Sequence, residues 1–134
     1  MIKIGIDPGT DTGIAVWNTS TKQFISIKTI MIHQALECVL KHHHDCIVSE
    51  IEVVCEDARK LGGSGAKAQG AGSIKRDCVI WQDFLTDSGI AFEMVDPKTQ
   101  TTKMESERFN RMTGWDKATN EHGRDAAMMV FNHR

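Results

Sequence analysis

The first thirteen residues, MIKIGIDPGTDTG, leave little freedom for how the chain begins to fold. Ile2, Ile4 and Ile6 alternate with Lys3, Gly5 and Asp7, the period-two pattern of a strand with one apolar face. Asp7-Pro8-Gly9 ends that strand, because proline fixes its own φ and glycine admits a tight turn. A second strand, Ile14 to Trp17, follows almost at once, so the chain opens as a hairpin. Asp7 therefore closes an apolar strand beside a turn of small residues. A carboxylate so placed suits a metal ligand, and the lack of side-chain bulk lets a phosphate approach the backbone. The plain alternative is a turn aspartate that supports the hairpin.

Gln23 to Ile30 reads as a third strand, and three strands on short turns make an antiparallel meander. The spacing of Ile32, Ala35, Leu36, Val39 and Leu40 predicts a helix over Met31 to His44 with one buried face. Ile51 to Glu56 is the next strand, with Ile51, Val53 and Cys55 facing one way and Glu52, Val54 and Glu56 the other. A helical connection makes this strand parallel to the first. In open sheets of this kind, sites form beyond the carboxyl ends of the parallel strands. Asp7 and Glu56 both stand at such ends. If their strands are neighbours the two carboxylates face each other, and a divalent cation resolves their repulsion.

Leu61 to Gly72 is glycine-rich and basic. It contains Gly63-x-Gly65-x-x-Ala68, but not at a strand-to-helix turn, and it lacks the Gly-Lys-Ser/Thr ending of a phosphate-binding loop. It reads as a flexible basic loop. A helix is expected from about Ser73 to Ser88, with Ile74, Cys78, Trp81 and Leu85 on its buried face and Gly89 ending it. Ile90 to Val95 is a fifth strand, stopped by Asp96-Pro97 and followed by the polar link 98–103. A short helix over Met104 to Met112, a loop over 113–120 and a last helix from Glu121 to about Asn132 complete the chain, with Asn120 as N-cap. His122 and Asp125 are three apart on that helix, so they project from one face.

Charge is unevenly spread. The chain of 134 residues carries a formal net charge of −2. Residues 59–76 hold Arg59, Lys60, Lys67, Lys75 and Arg76 and no acid, between two acidic stretches. Such a patch is the footprint of an anion such as a nucleic-acid backbone, and its plain alternative is a solvated loop. The length fits one domain, residues 1–134, and 40% hydrophobic with 25% charged residues is ordinary for a soluble globular protein. No apolar run can span a bilayer and no signal peptide is visible, so the expectation is a cytoplasmic protein with no membrane partner. Cys38, Cys46, Cys55 and Cys78 form no CxxC pair and are expected to be reduced. A zinc site from Cys46 and His42-His43-His44 is disfavoured, because three consecutive histidines on a helix end point in different directions.

Asp7, Glu56 and Asp125, with His122, are the candidate catalytic and metal-binding residues. Their hard donors suit Mg²⁺ or Mn²⁺, and carboxylates spread over two strands and a helix are the expectation for a two-metal phosphoryl-transfer site.

The segments IGIDPGTDTGIAV at 4–16, VVCEDARK at 53–60 and HGRDAAMMV at 122–130, in this order, resemble the RuvC-type Holliday-junction resolvases of the RNase H-like nuclease superfamily. The order of elements agrees along nearly the whole chain. The resemblance implies an α/β, RNase H-like fold: a five-stranded mixed sheet, three antiparallel strands then two parallel ones, flanked by helices. It implies a metal-dependent endonuclease acting on Holliday junctions or other branched DNA, with two Mg²⁺ or Mn²⁺ ions per site. Asp7, Glu56, Asp125 and the His122 position would carry the metals. Products would be 5′-phosphate and 3′-hydroxyl ends, and the working form a homodimer. Arg59, Lys60, Lys67, Lys75 and Arg76 would hold the DNA backbone. This chain departs from the family in being shorter, notably between Lys98 and Asn120, and acidic overall. Both traits suit a compact, phage-borne member acting in a host cytoplasm.

Two other classes compete. Asp7 to Thr10 satisfies the Asp-x-Gly-Thr phosphate loop of the actin and sugar-kinase type, but those proteins need two such domains and a second loop. A non-catalytic DNA-junction-binding module would have no reason to keep every acid.

Overall fold

The computed structural model describes residues 1–45, 50–60, 68–97 and 104–132, with the side chains of 60 and 68–71 excepted. The opening hairpin forms as β1 (Ile2–Asp7) and β2 (Asp11–Asn18), and β3 (Gln23–Met31) completes an antiparallel meander. Helix α1 (Ile32–Asp45) crosses over to β4 (Ile51–Glu56), which pairs parallel with β1. A 3-10 turn (Ala58–Lys60) and helix α2 (Ala68–Asp87) lead to β5 (Ala91–Val95), parallel to β4. Helices α3 (Ser106–Thr113) and α4 (Glu121–Val130) follow. The sheet order is β3-β2-β1-β4-β5, so β1 and β4 are central neighbours. The expected mixed sheet, three antiparallel strands and then two parallel ones, is present.

Alternation along β1 sorts the core into two layers. Ile2, Ile4 and Ile6 pack with Val53 and Cys55 of β4 against Ala35 and Val39 of α1 and Trp81 and Leu85 of α2. On the other face Ala15, Trp17 and Val54 pack with Phe109 of α3 and Ala126, Ala127 and Val130 of α4. Burial of each such aliphatic or aromatic side chain contributes about 1.5–3 kcal/mol. Lys3 also lies on the second face, only 4% exposed, and its ammonium meets Glu52 across the β1–β4 pair at 3.5 Å.

Helix α4 lies against the sheet because β1 and β2 have glycines beneath it. A β-carbon on Gly5 would collide with the carbonyl of Ala126, and one on Gly13 with the carbonyl of His122. Asn120 caps the helix as expected, its side-chain oxygen accepting from the Gly123 amide at 3.1 Å. The Thr29 hydroxyl of β3 also bonds the Asn120 side chain, tying the helix start to the sheet edge.

Two expectations are corrected. Helix α2 starts at Ala68, not near Ser73, so the second half of the glycine-rich basic stretch is helical. Ala68, Gln69 and Ala71 favour a helix, and a glycine costs only about 1 kcal/mol relative to alanine where no proline intervenes. Ile74, assigned to the buried face of α2, is 40% exposed, while Cys78, Trp81 and Leu85 are buried. Residues 72–76 are exposed, and Asp77, Cys78, Trp81 and Leu85 are buried. Residues 61–67, Cys46 and the link 98–103 lie outside the described residues.

Candidate active site

Strand register brings the acidic residues to one place. Ile6 pairs with Cys55, so Asp7 and Glu56, one step further along, end two adjacent parallel strands. Gly5 faces α4, and Asp7, two residues on, shares that face. Val54 pairs with Gly5 and packs with α4, so Glu56 also points to the α4 side. Two carboxylates thus leave the sheet at neighbouring positions on the same face.

Helix α4 brings the other two residues. Gly13 is the register partner of Asp7, and the His122 carbonyl rests over it. The imidazole then reaches Asp7, with Nδ1 3.0 Å from Oδ2. The His122 side chain is 52% exposed and that of Asp7 13%, so the imidazole lies on the solvent side of the carboxylate. Asp125 is partly buried in the next turn, immediately before Ala126, whose carbonyl covers Gly5. The turn before β2 is braced by the buried Thr12 hydroxyl, which donates to the Gly9 carbonyl at 2.8 Å.

The donors are oxygens with one imidazole, a set suited to a hard divalent cation. Asp7, Glu56 and Asp125 fit that role in kind and in placement at strand ends and helix start. Among the described residues no three carboxylate, imidazole or thiol groups stand close enough together to enclose an ion.

The basic candidates divide. Lys75 and Arg76 sit in the exposed stretch 72–76 of α2, with the Arg76 side chain 70% exposed. Arg59 instead folds back on Asp57, its Nε 2.8 Å from Oδ1 and its Nη2 2.9 Å from Oδ2. The same Nη2 donates to Gln82 of α2 at 2.6 Å. Lys67 and the Lys60 side chain lie outside the described residues.

Asp57, 3% exposed, was not singled out from sequence. The signal was present, since an aspartate two residues before an arginine at a strand exit is the pattern of a side-chain-bonded turn. Periodicity places Cys78 only on the core face of α2, yet its thiol and that of Cys55 each lie 3.7 Å from the Glu56 carbonyl. Burial raises the pKa of both thiols above the ordinary value, that of Cys55 well above it.

No protein-family model matches the chain, and no curated protein matches it. Solved structures do. The mixed sheet and its flanking helices define a RuvC/RNase H-like fold, with the acidic strand ends under α4. The particular neighbour is RuvC of T. thermophilus in complex with Holliday junction substrate, which superposes with a TM-score of 0.70. The superposition covers 99% of this chain and 92% of that one, at 14% sequence identity. At that identity the likeness defines the fold. No helix among the described residues is long and apolar enough to cross a membrane.

Proposed function

We propose that the protein is a metal-dependent, structure-selective endonuclease that cleaves phosphodiester bonds in Holliday junctions or other branched DNA, leaving 5′-phosphate and 3′-hydroxyl ends. The observation that carries this reading is the pair Asp7 and Glu56 on one face at adjacent parallel strand ends, with His122 of α4 on Asp7. The RuvC-like fold supports it, because the solved neighbour is bound to a Holliday junction.

Asp7, Glu56 and Asp125 would hold the divalent ions, Mg²⁺ or Mn²⁺, two per site. When bound, such ions neutralise charge developing at the scissile phosphate and ease deprotonation of the attacking water. His122 orients that water or takes its proton, and Asp7 holds the ring through Nδ1. Lys75 and Arg76 in the exposed stretch 72–76 of α2 carry the DNA backbone. A homodimer would present two such sites to opposed strands of a junction, in the cytoplasm of a bacterial or phage-infected cell.

Four-way, three-way, flapped and linear DNA incubated with the protein in Mg²⁺ test the reading. Cleavage of branched substrates over linear duplex supports it, and no cleavage of any substrate refutes it. Among the described residues no three donors converge, and this keeps one second reading in play, a module that binds junctions without cutting them. Tight junction binding with no cleavage in Mg²⁺ or Mn²⁺ would select it.

A further inference from the structure

Three hydrogen-bonding features converge on the backbone at Glu56, and none belongs to the metal-ligand set. The Glu56 carbonyl lies 3.7 Å from the Cys78 thiol of α2 and 3.7 Å from the Cys55 thiol. The next amide, that of Asp57, donates to the Val95 carbonyl at 2.8 Å, which extends the β4–β5 pairing past the strand end. The Asp57 carboxylate, buried at the exit of β4, accepts from the Arg59 amide at 3.0 Å and from Nε and Nη2 of its guanidinium. Arg59 then reaches Gln82, so the turn is anchored to α2.

We infer that the Asp57–Arg59–Gln82 chain is a positioning device that fixes Glu56 for metal binding, and that Arg59 acts through Asp57, not as a DNA contact. The inference rests on the nuclease reading of the site. A strand-terminal glutamate has three rotatable side-chain bonds, and past the Asp57 amide no further ladder bond among the described residues holds the turn that follows it. The bidentate Arg–carboxylate fork is rigid and geometrically specific, and here it closes a turn of three residues. Lysine keeps the charge but cannot make the fork. The arrangement therefore separates two roles that the sequence alone leaves merged in one basic run. Arg59, its side chain 32% exposed, is held by Asp57 and Gln82, while Lys75 and Arg76 are exposed.

The test compares wild type with Arg59→Met, Arg59→Lys and Gln82→Ala. Mn²⁺ binding is read by calorimetry on the DNA-free protein, four-way-junction binding in Ca²⁺ across a salt series, and cleavage in Mg²⁺. Supporting groups around metal ligands alter affinity or activity by about 10- to 100-fold. Arg59→Met is expected to weaken Mn²⁺ binding and lower kcat by roughly tenfold or more, with junction affinity, its salt slope and KM unchanged. Arg59→Lys should be equally defective, and Gln82→Ala should shift in the same direction by less. A weaker, salt-flattened junction complex with normal Mn²⁺ binding, rescued by lysine, would overturn the inference and make Arg59 a phosphate contact. Unchanged Mn²⁺ affinity and kcat in folded Arg59→Met would overturn it too. If Arg59→Met does not fold, Gln82→Ala and Arg59→Lys decide by the same readouts. A wild type that binds no Mn²⁺ and cuts nothing would bring down the nuclease reading itself, whereas an active wild type with indifferent variants brings down the positioning role alone.

Discussion

The carbonyl of His122 occupies the space where a β-carbon on Gly13 would stand, at well under the 3.0 Å that real β-carbons keep. Gly13 is paired with Asp7, so the same close approach that seats α4 on the sheet delivers the imidazole to the carboxylate. The site is thus made by backbone packing as much as by its own side chains.

Gly13→Ala should force α4 outward. Overpacking of this kind costs typically 1–3 kcal/mol. The loss should appear as a lower urea midpoint at unchanged m-value, together with loss of cleavage. Gly72→Ala is the control, because a β-carbon there meets nothing within 4 Å and the residue lies inside α2. It should stabilise by roughly 0.5–1 kcal/mol and leave activity intact.

His122→Ala should slow cleavage by roughly a hundredfold, as removal of a general base does. The pH–rate profile should lose one limb. An unchanged rate and profile would make His122 a support for Asp7 with no part in the chemistry.

Lys75→Ala with Arg76→Ala should weaken binding to every DNA substrate without changing the rate at saturation. Each phosphate contact contributes about −0.9 to the slope of log affinity against log salt, so the slope should flatten by up to roughly two. An unchanged slope would place the DNA surface elsewhere.

The thiols beside Glu56 set a pH dependence. Burial is the main cause that holds the Cys55 thiol well above its ordinary 9.0, with Cys78 and the nearby carboxylates adding to it. The folded state therefore keeps a proton that the unfolded state gives up first. Stability from this group is complete below the ordinary thiol range and declines as pH rises above it. Urea midpoints should be flat from neutral pH toward that range and fall beyond it, and Cys55→Ser should remove part of the fall. Thiol reagents at neutral pH should leave Cys55 and Cys78 unmodified until the protein is unfolded.

Strand alternation in 2–7 and 51–56 and the helical crossover between them made two parallel strands ending in Asp7 and Glu56 legible from sequence, but that the two strands are neighbours follows only from the sheet order. The N-cap at Asn120 was legible for the same local reason. The start of α2 was not, since its glycines mask a helix that alanines and tertiary contacts sustain. Nor was the role of Arg59. Charge counting groups it with Lys75 and Arg76, and only the turn geometry at Asp57 folds its guanidinium back on that carboxylate. The contacts of Gly5 and Gly13 depend on where a distant helix lands, which a local pattern does not encode.

The most direct measurement is cleavage of a four-way DNA junction in Mg²⁺ by wild type, Asp7→Asn, Glu56→Gln and Asp125→Asn, with junction binding in Ca²⁺ followed in parallel. Each substitution removes a charge and keeps the side-chain shape. The account predicts that wild type cuts the junction, leaving 5′-phosphate ends, while the three variants bind it with near-normal affinity and do not cut. Wild-type cleavage rates in the Asp7→Asn protein, or a wild type that binds the junction and never cuts it, would contradict the account.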